Sequence, residues 1–250
     1  MQTVIIGSGN VAYHLAKALV ENNIPPSQIF GRNEKELEAI SKELNIPYST
    51  KNLVDSDIYL ICVSDQAVED VSRHLTKKDC LVAHTSGSLP IDVLKGEYRK
   101  ASFYPLQTFS RSKVLDYSKI PFFIEAENEE DLNILSDLAA KVSENVMEST
   151  YEKRKYIHLT AVFACNFVNH LFSRAKEISD SQKIPFDCFL PLIDETVQKI
   201  HTIEPKSAQT GPAVRNDRRI LELHEQLLKD ESLEIYKIMN LSIKKMYQLP

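Results

Sequence analysis

The chain has no tryptophan, only six glycines in 250 residues, four cysteines, and no uninterrupted apolar stretch longer than six residues. Each scarcity excludes something. Cys62, Cys80, Cys165 and Cys188 are spread along the chain without paired spacing, which argues against a zinc cluster or a disulfide framework and for reduced thiols, so no metal is expected. No run approaches the roughly 20 apolar residues that span a bilayer, and the first apolar run starts at once, without a basic leader. The expected compartment is therefore the cytoplasm, with no membrane partner. Positive charge is scarce as well: 30 Lys and Arg stand against 35 Asp and Glu, a net charge of −5, with no basic cluster to follow a phosphate backbone. Nucleic acid is not an expected partner.

What is present is enough apolar material for a sizeable core, 43% of the chain, and two of the scarce glycines close together at the start. The run Thr3-Val4-Ile5-Ile6 stops at Gly7-Ser8-Gly9, and Val11, Leu15, Ala18 and Leu19 then recur at helical spacing. The order is strand, glycine turn, helix. Such a turn binds a pyrophosphate, because glycines let the backbone approach it while free N–H groups and the positive helix end face its charge. Gly7, Ser8, Gly9, Asn10 and Val11 are the expected pyrophosphate cradle, with Ala12 as the small residue at the third fingerprint position.

Further along, Pro25-Pro26 end the first helix near Glu21-Asn22-Asn23, and a second strand runs from Gln28 to Gly31. No acid closes that strand to bond a ribose 2′-hydroxyl; Arg32-Asn33 stand there instead, which favours NADP over NAD, the alternative being a solvated arginine. A charged helix is expected over Glu34 to Leu44, then a central strand over the run Ile58 to Asp65. Val63, Ser64 and Asp65 at its carboxyl end should line the nucleotide cleft, although Asp65 also suits the N-cap of a helix from Gln66 to Leu75. A strand at Cys80 to His84 leads into Thr85-Ser86-Gly87-Ser88, a polar loop placed for substrate, with Ser88 also readable as a helix cap. Strand-like runs at 101–105 and 121–125, then a helix carrying Leu132, Leu135, Leu138 and Val142, complete a parallel α/β sheet with helices on both faces.

From about Tyr151 the β-branched runs give way to long helical periodicities, which divides the chain into a dinucleotide-binding domain over 1–150 and a helical domain over 151–250. One helix from about Lys153 to Ser181 carries an apolar stripe at Ile157, Ala161, Ala164, Val168, Leu171, Ala175 and Ile178. Helices over 189–200, 217–228 and 231–247 follow, with a loop from Pro205 to Pro212. So many stripes in so small a domain suggest a homodimer joined through it.

Taken together, Gly7-Ser8-Gly9-Asn10-Val11-Ala12, His84-Thr85-Ser86-Gly87-Ser88, Tyr104-Pro105-Leu106-Gln107-Thr108-Phe109, His158, Asn166 and Thr210-Gly211-Pro212-Ala213-Val214-Arg215-Asn216-Asp217 resemble Rossmann-like proteins with a C-terminal DUF2520 domain. That family is related to pyrroline-5-carboxylate reductases and coenzyme-F420-dependent NADP oxidoreductases. The resemblance spans essentially the whole chain. It implies an NADP-binding domain followed by a helical dimerisation domain similar to the C-terminal domain of 6-phosphogluconate dehydrogenase. The sequence departs from the family pattern at Tyr104, where histidine is usual, and at Asn216, where glycine is usual. If Asn166 matches the asparagine of the related β-hydroxyacid dehydrogenases, their proton-transferring lysine is replaced by Val162.

The expectation is an NADP-dependent oxidoreductase that moves hydride to or from a small polar substrate, imine or keto acid, in the cleft between domains, with NAD or F420 ranking behind NADP. His158 is the candidate proton donor and Asn166 its companion, about 80° around an ideal helix; a packed or capped histidine is the plainer alternative. Ser86, Gly87, Gln107, Thr210 and Arg215 are candidate substrate contacts, Arg215 as a carboxylate anchor. A non-catalytic NADP-binding regulator or scaffold is the other reading.

Overall fold

The computed structural model describes residues 1–249. The chain starts with β1 (Thr3–Ile6), α1 (Asn10–Glu21), β2 (Gln28–Phe30), α2 (Glu34–Leu44), β3 (Tyr48–Ser49), β4 (Ile58–Ile61), α3 (Asp65–Arg73) and β5 (Leu81–His84). It continues with β6 (Arg99–Pro105), β7 (Phe122–Ala126), α4 (Glu129–Ala140), β8 (Val146–Glu148) and α5 (Tyr151–Ala161). The eight strands form one sheet in the order β3-β2-β1-β4-β5-β6-β7-β8.

Alternation along each strand sends neighbouring side chains to opposite faces. Ile5, Ile29, Leu60, Ala83 and Phe103 pack with α1, α2 and α4 on one face. Val4, Ile6, Tyr59, Ile61 and Val82 pack with Val68 of α3 and with Leu94 and Tyr98 on the other. Both faces are thus covered, the arrangement that near-continuous apolar strands require. The sheet is not wholly parallel, in contrast to the sequence reading: β7 runs antiparallel to β6, with Phe103 opposite Ile124, and β8 is parallel to β7. Apolar content reports burial and carries no strand direction, so the reversal leaves no mark in the pattern.

Beyond α5 the helix continues through a π segment (Val162–Phe167) into α6 (Val168–Ser181), followed by α7 (Leu190–Lys199), a short α8 (Pro205–Ala208), α9 (Arg218–Leu227) and α10 (Asp230–Met246). Pro205 to Pro212 is therefore not wholly loop. The chain separates into two compact units, the first ending at Asn166 and the second starting at Phe167. Strands stop near residue 150, as the composition suggests, but α5 belongs with the sheet. Arg154, wholly buried, explains this: its guanidinium pairs with Glu125 of β7 and donates to the Leu89 carbonyl at 2.6 Å.

The second unit holds together through local contacts such as the Asp217 cap on the Ile220 amide and the bond between His224 Nδ1 and the Tyr236 hydroxyl at 2.9 Å. Its only buried apolar side chains among the described residues are Ala213 and Leu221. None of the seven members of the long stripe is buried within the chain, and Ile178 is 48% exposed. Among the described residues no helix is long and apolar enough to cross a membrane.

Candidate functional site

The switch of strand order between β1 and β4 opens a crevice at the carboxyl ends of these strands, where open α/β sheets take their ligands. Gly7 forms its floor. Its amide donates to the Phe30 carbonyl at 2.8 Å, and its φ of +138° lies where side chains are strained. Gly9 caps α1 without a side-chain bond, and no acid occupies the first turn. The free N–H groups and positive end of α1 are consequently left for an anion.

The cleft above this turn measures about 1330 Å³ and is lined by Gly7, Ser8, Gly9, Asn10 and Val11. Arg32 and Asn33 after β2, and Val63 and Ser64 after β4, also line it, so nine of the ten expected cofactor residues converge there. Asn33 additionally caps α2, its Oδ1 accepting the Glu36 amide at 3.3 Å. Arg32 is exposed and has no carboxylate partner among the described residues. The turn, the open helix end and an unpaired cation fit an anionic dinucleotide.

Asp65 is the exception. It is neither a cleft residue nor the N-cap: Ser64 takes the cap position, and Asp65 is the first residue of α3. The sequence reading also missed Lys51 and His74, which line the cleft. Lys51 follows a two-residue strand too short to show periodicity, in a turn where Ser49 Oγ accepts its amide at 3.1 Å and that of Asn52 at 2.9 Å.

Gln107, expected on the substrate side, lines this same cleft with Phe109. Both belong to a segment strapped to α1. Asn10 Nδ2 donates to the Phe109 carbonyl at 3.0 Å, and buried His14 donates from Nε2 to the Ser110 carbonyl at 3.0 Å while Nδ1 meets the Tyr117 hydroxyl at 2.8 Å. Arg111 pairs with Glu36 and lies 4.9 Å from the Tyr13 ring centroid.

A second polar cluster sits at the ends of β5 and β6. His84 is fully buried, and its Nδ1 accepts the Ser86 amide at 3.2 Å, which shapes the loop that follows. Burial, and then the Arg154 charge, push its pKa down to about 3, so the ring stays neutral. Ser86 turns its hydroxyl inward to accept the Ser88 amide at 3.0 Å. Ser88 caps no helix; the next helical turn, a 3-10 turn at Ile91–Val93, starts after Pro90.

Gly87 touches two residues at once: a β-carbon there would lie 2.7 Å from Tyr104 Cζ and 2.9 Å from His158 Nδ1. The Tyr104 hydroxyl meets His158 Nδ1 at 3.1 Å, with the rings edge to face. Burial pushes the Tyr104 pKa up to about 12, helped by the Asp65 carboxylate and opposed by Arg154. Tyr104 is the site residue the sequence reading passed over.

Asn166 falls in the π segment, where the wider turn rotates less per residue than an α-helix and so brings Asn166 nearer in angle to His158 than the ideal-helix spacing implies. Thr210 and Arg215 belong to the second unit, both exposed between α8 and α9. Among the described residues no group of three or more His, Cys, Asp or Glu could hold a metal ion.

Comparison with known proteins bears on this geometry. Residues 2–94 match the family described as NADP oxidoreductase, coenzyme F420-dependent, and residues 120–243 match the domain of unknown function DUF2520. A solved protein from Bacteroides fragilis, provisionally described as an NADP oxidoreductase, is 36% identical, with 98% of each chain covered and a TM-score of 0.92. Pyrroline-5-carboxylate reductases share the fold. The Streptococcus pyogenes enzyme is 16% identical, with a TM-score of 0.63 over 100% of this chain and 99% of that one. The Plasmodium falciparum enzyme, solved with NADP bound, is 13% identical, with a TM-score of 0.62 over 99% and 98%. No curated protein matches the chain.

Proposed function

The chain belongs to the family of NADP oxidoreductase proteins that join an F420-dependent-type nucleotide domain to a DUF2520 domain, and from that premise we propose that it reduces or oxidises a small polar substrate, imine or keto acid, with NADP. The observation that carries the reading is the cleft itself: a glycine turn, an uncapped helix end and Arg32, which has no carboxylate partner among the described residues, all line one cavity. In it Gly7 to Val11 hold the pyrophosphate and Arg32 reads the 2′-phosphate. Bound NADPH supplies the hydride. His158 gives the proton that accompanies it, and Gln107 and the Ser86-Gly87 loop border the substrate.

We also propose a homodimer through the helical unit. Supporting it, Leu192, Leu227 and Ile238 are each more than 60% exposed, in a unit with two buried apolar side chains among the described residues.

The test is a titration of the full chain with NADPH, NADH and reduced F420, followed by melting temperature, since a ligand selective for the folded state raises it. NADPH should stabilise most. Arg32→Ala should then weaken NADPH by about tenfold or more with little change for NADH, the loss of a charge-assisted contact of roughly 1.5–3 kcal/mol. Stabilisation by none of the three overturns the reading; binding without turnover of any imine or keto acid favours a regulator.

A further inference from the structure

We propose that Tyr104 acts through His158: by donating to Nδ1 it holds the imidazole with its proton on Nε2, and its own proton follows when Nε2–H is given to the substrate. This rests on the reading of His158 as proton donor. Tyr104 is then a positioning residue, one that need not touch the substrate.

The hydrogen-bond arithmetic favours this direction. Tyr104 is 8% exposed, and among the described residues its hydroxyl makes one hydrogen bond, to His158 Nδ1. With a proton on Nδ1 the phenol would accept, and its own buried hydrogen would have no acceptor in the protein. With Nδ1 bare, the phenol donates and nothing is left unpaired. Gly87 closes the same edge of the ring, its backbone packed so near Nδ1 that even a methyl group would collide. Yet His158 as a whole is partly exposed, which leaves the Nε2 edge for exchange with a ligand.

Two charges act on the phenol, Asp65 from α3 and Arg154 one turn before His158 on α5. They oppose each other, and Arg154 is the one that favours a tyrosinate. In carbonyl reduction the hydride forms the new C–H bond as the nicotinamide is oxidised and the carbonyl reduced. Nε2–H then passes its proton to the developing alkoxide and the Tyr104 O–H bond breaks to protonate Nδ1; water afterwards protonates Nε2, and the Nδ1 proton returns to the phenolate, which restores the starting tautomer. The imidazole carries no net charge at either end of the step, so no imidazolium is needed above neutral pH.

The tautomer can be read without knowing the substrate. The full chain with 15N-labelled histidine gives long-range 1H–15N spectra at mildly alkaline pH, with the His158 signals identified by their loss in His158→Asn. The wild type should show His158 protonated at Nε2, with the shift of a bare, hydrogen-bonded Nδ1. Tyr104→Phe should lose that shift and mix the tautomers while NADPH affinity stays unchanged, which reports an intact fold. An Nδ1–H tautomer in the wild type, or the same tautomer in Tyr104→Phe, overturns the inference. Absence of NADPH binding to the wild type would instead sink the oxidoreductase reading and leave the tautomer result standing.

Discussion

Gly7 sits so close to Cys62 that a β-carbon on it would stand 2.2 Å from the Cys62 carbonyl oxygen. That carbonyl is backbone, immediately after β4, and cannot yield as a flexible side chain could. Gly7→Ala therefore meets both a clash and an unfavourable φ, each costing about 1–3 kcal/mol. We expect a loss of about 3 kcal/mol in urea unfolding and a melting temperature lower by roughly 10 °C. NADPH affinity should fall with it. A variant as stable as the wild type would show that the turn can open.

His84 should make stability sensitive to acid. Its folded pKa, about 3, lies below its ordinary value of about 6.5. The unfolded chain thus takes up the proton first. The stabilisation is complete above about pH 6.5 and is lost as pH falls toward 3, at up to about 1.4 kcal/mol per pH unit. Urea denaturation of wild type and His84→Asn across this range should give curves that converge on acidification. Parallel curves would mean that His84 is protonated in the folded protein.

Arg154 is a buried cation whose removal leaves Glu125 without its partner and the Leu89 carbonyl without a donor. Arg154→Met should destabilise by about 3–5 kcal/mol in denaturant unfolding. The double variant Arg154→Met, Glu125→Gln should recover part of that loss, because it removes the orphaned charge as well. If the double variant is no more stable than the single one, the carboxylate is not what the arginine neutralises.

The first half of the chain could be read from sequence because its signals are local. β1, its glycine turn and α1 lie within one stretch, and the limits of α2, Glu34–Leu44, match the apolar spacing of Leu37, Ile40 and Leu44. Arg32 was legible for the same reason, being fixed by its distance from Gly7. Tyr104 was not, since its partner lies 54 residues away and neither residue marks the other. Asp65 was misplaced because Ser64 and Asp65 are both good cap residues, and only the backbone decides which one precedes the helix. The π segment likewise follows from packing that spacing arguments assume away.

Arg154 pins α5 to the sheet, and His158 follows it by a single helical turn. The histidine assigned to proton transfer is therefore encoded in the same compact length of chain as the nucleotide turn, whereas Thr210 and Arg215 are encoded in the other. Under selection these two lengths can drift at different speeds. On the proposed reading, a substitution after Phe167 alters the expected substrate contacts and leaves untouched the length of chain that carries the proposed proton donor and the nucleotide turn.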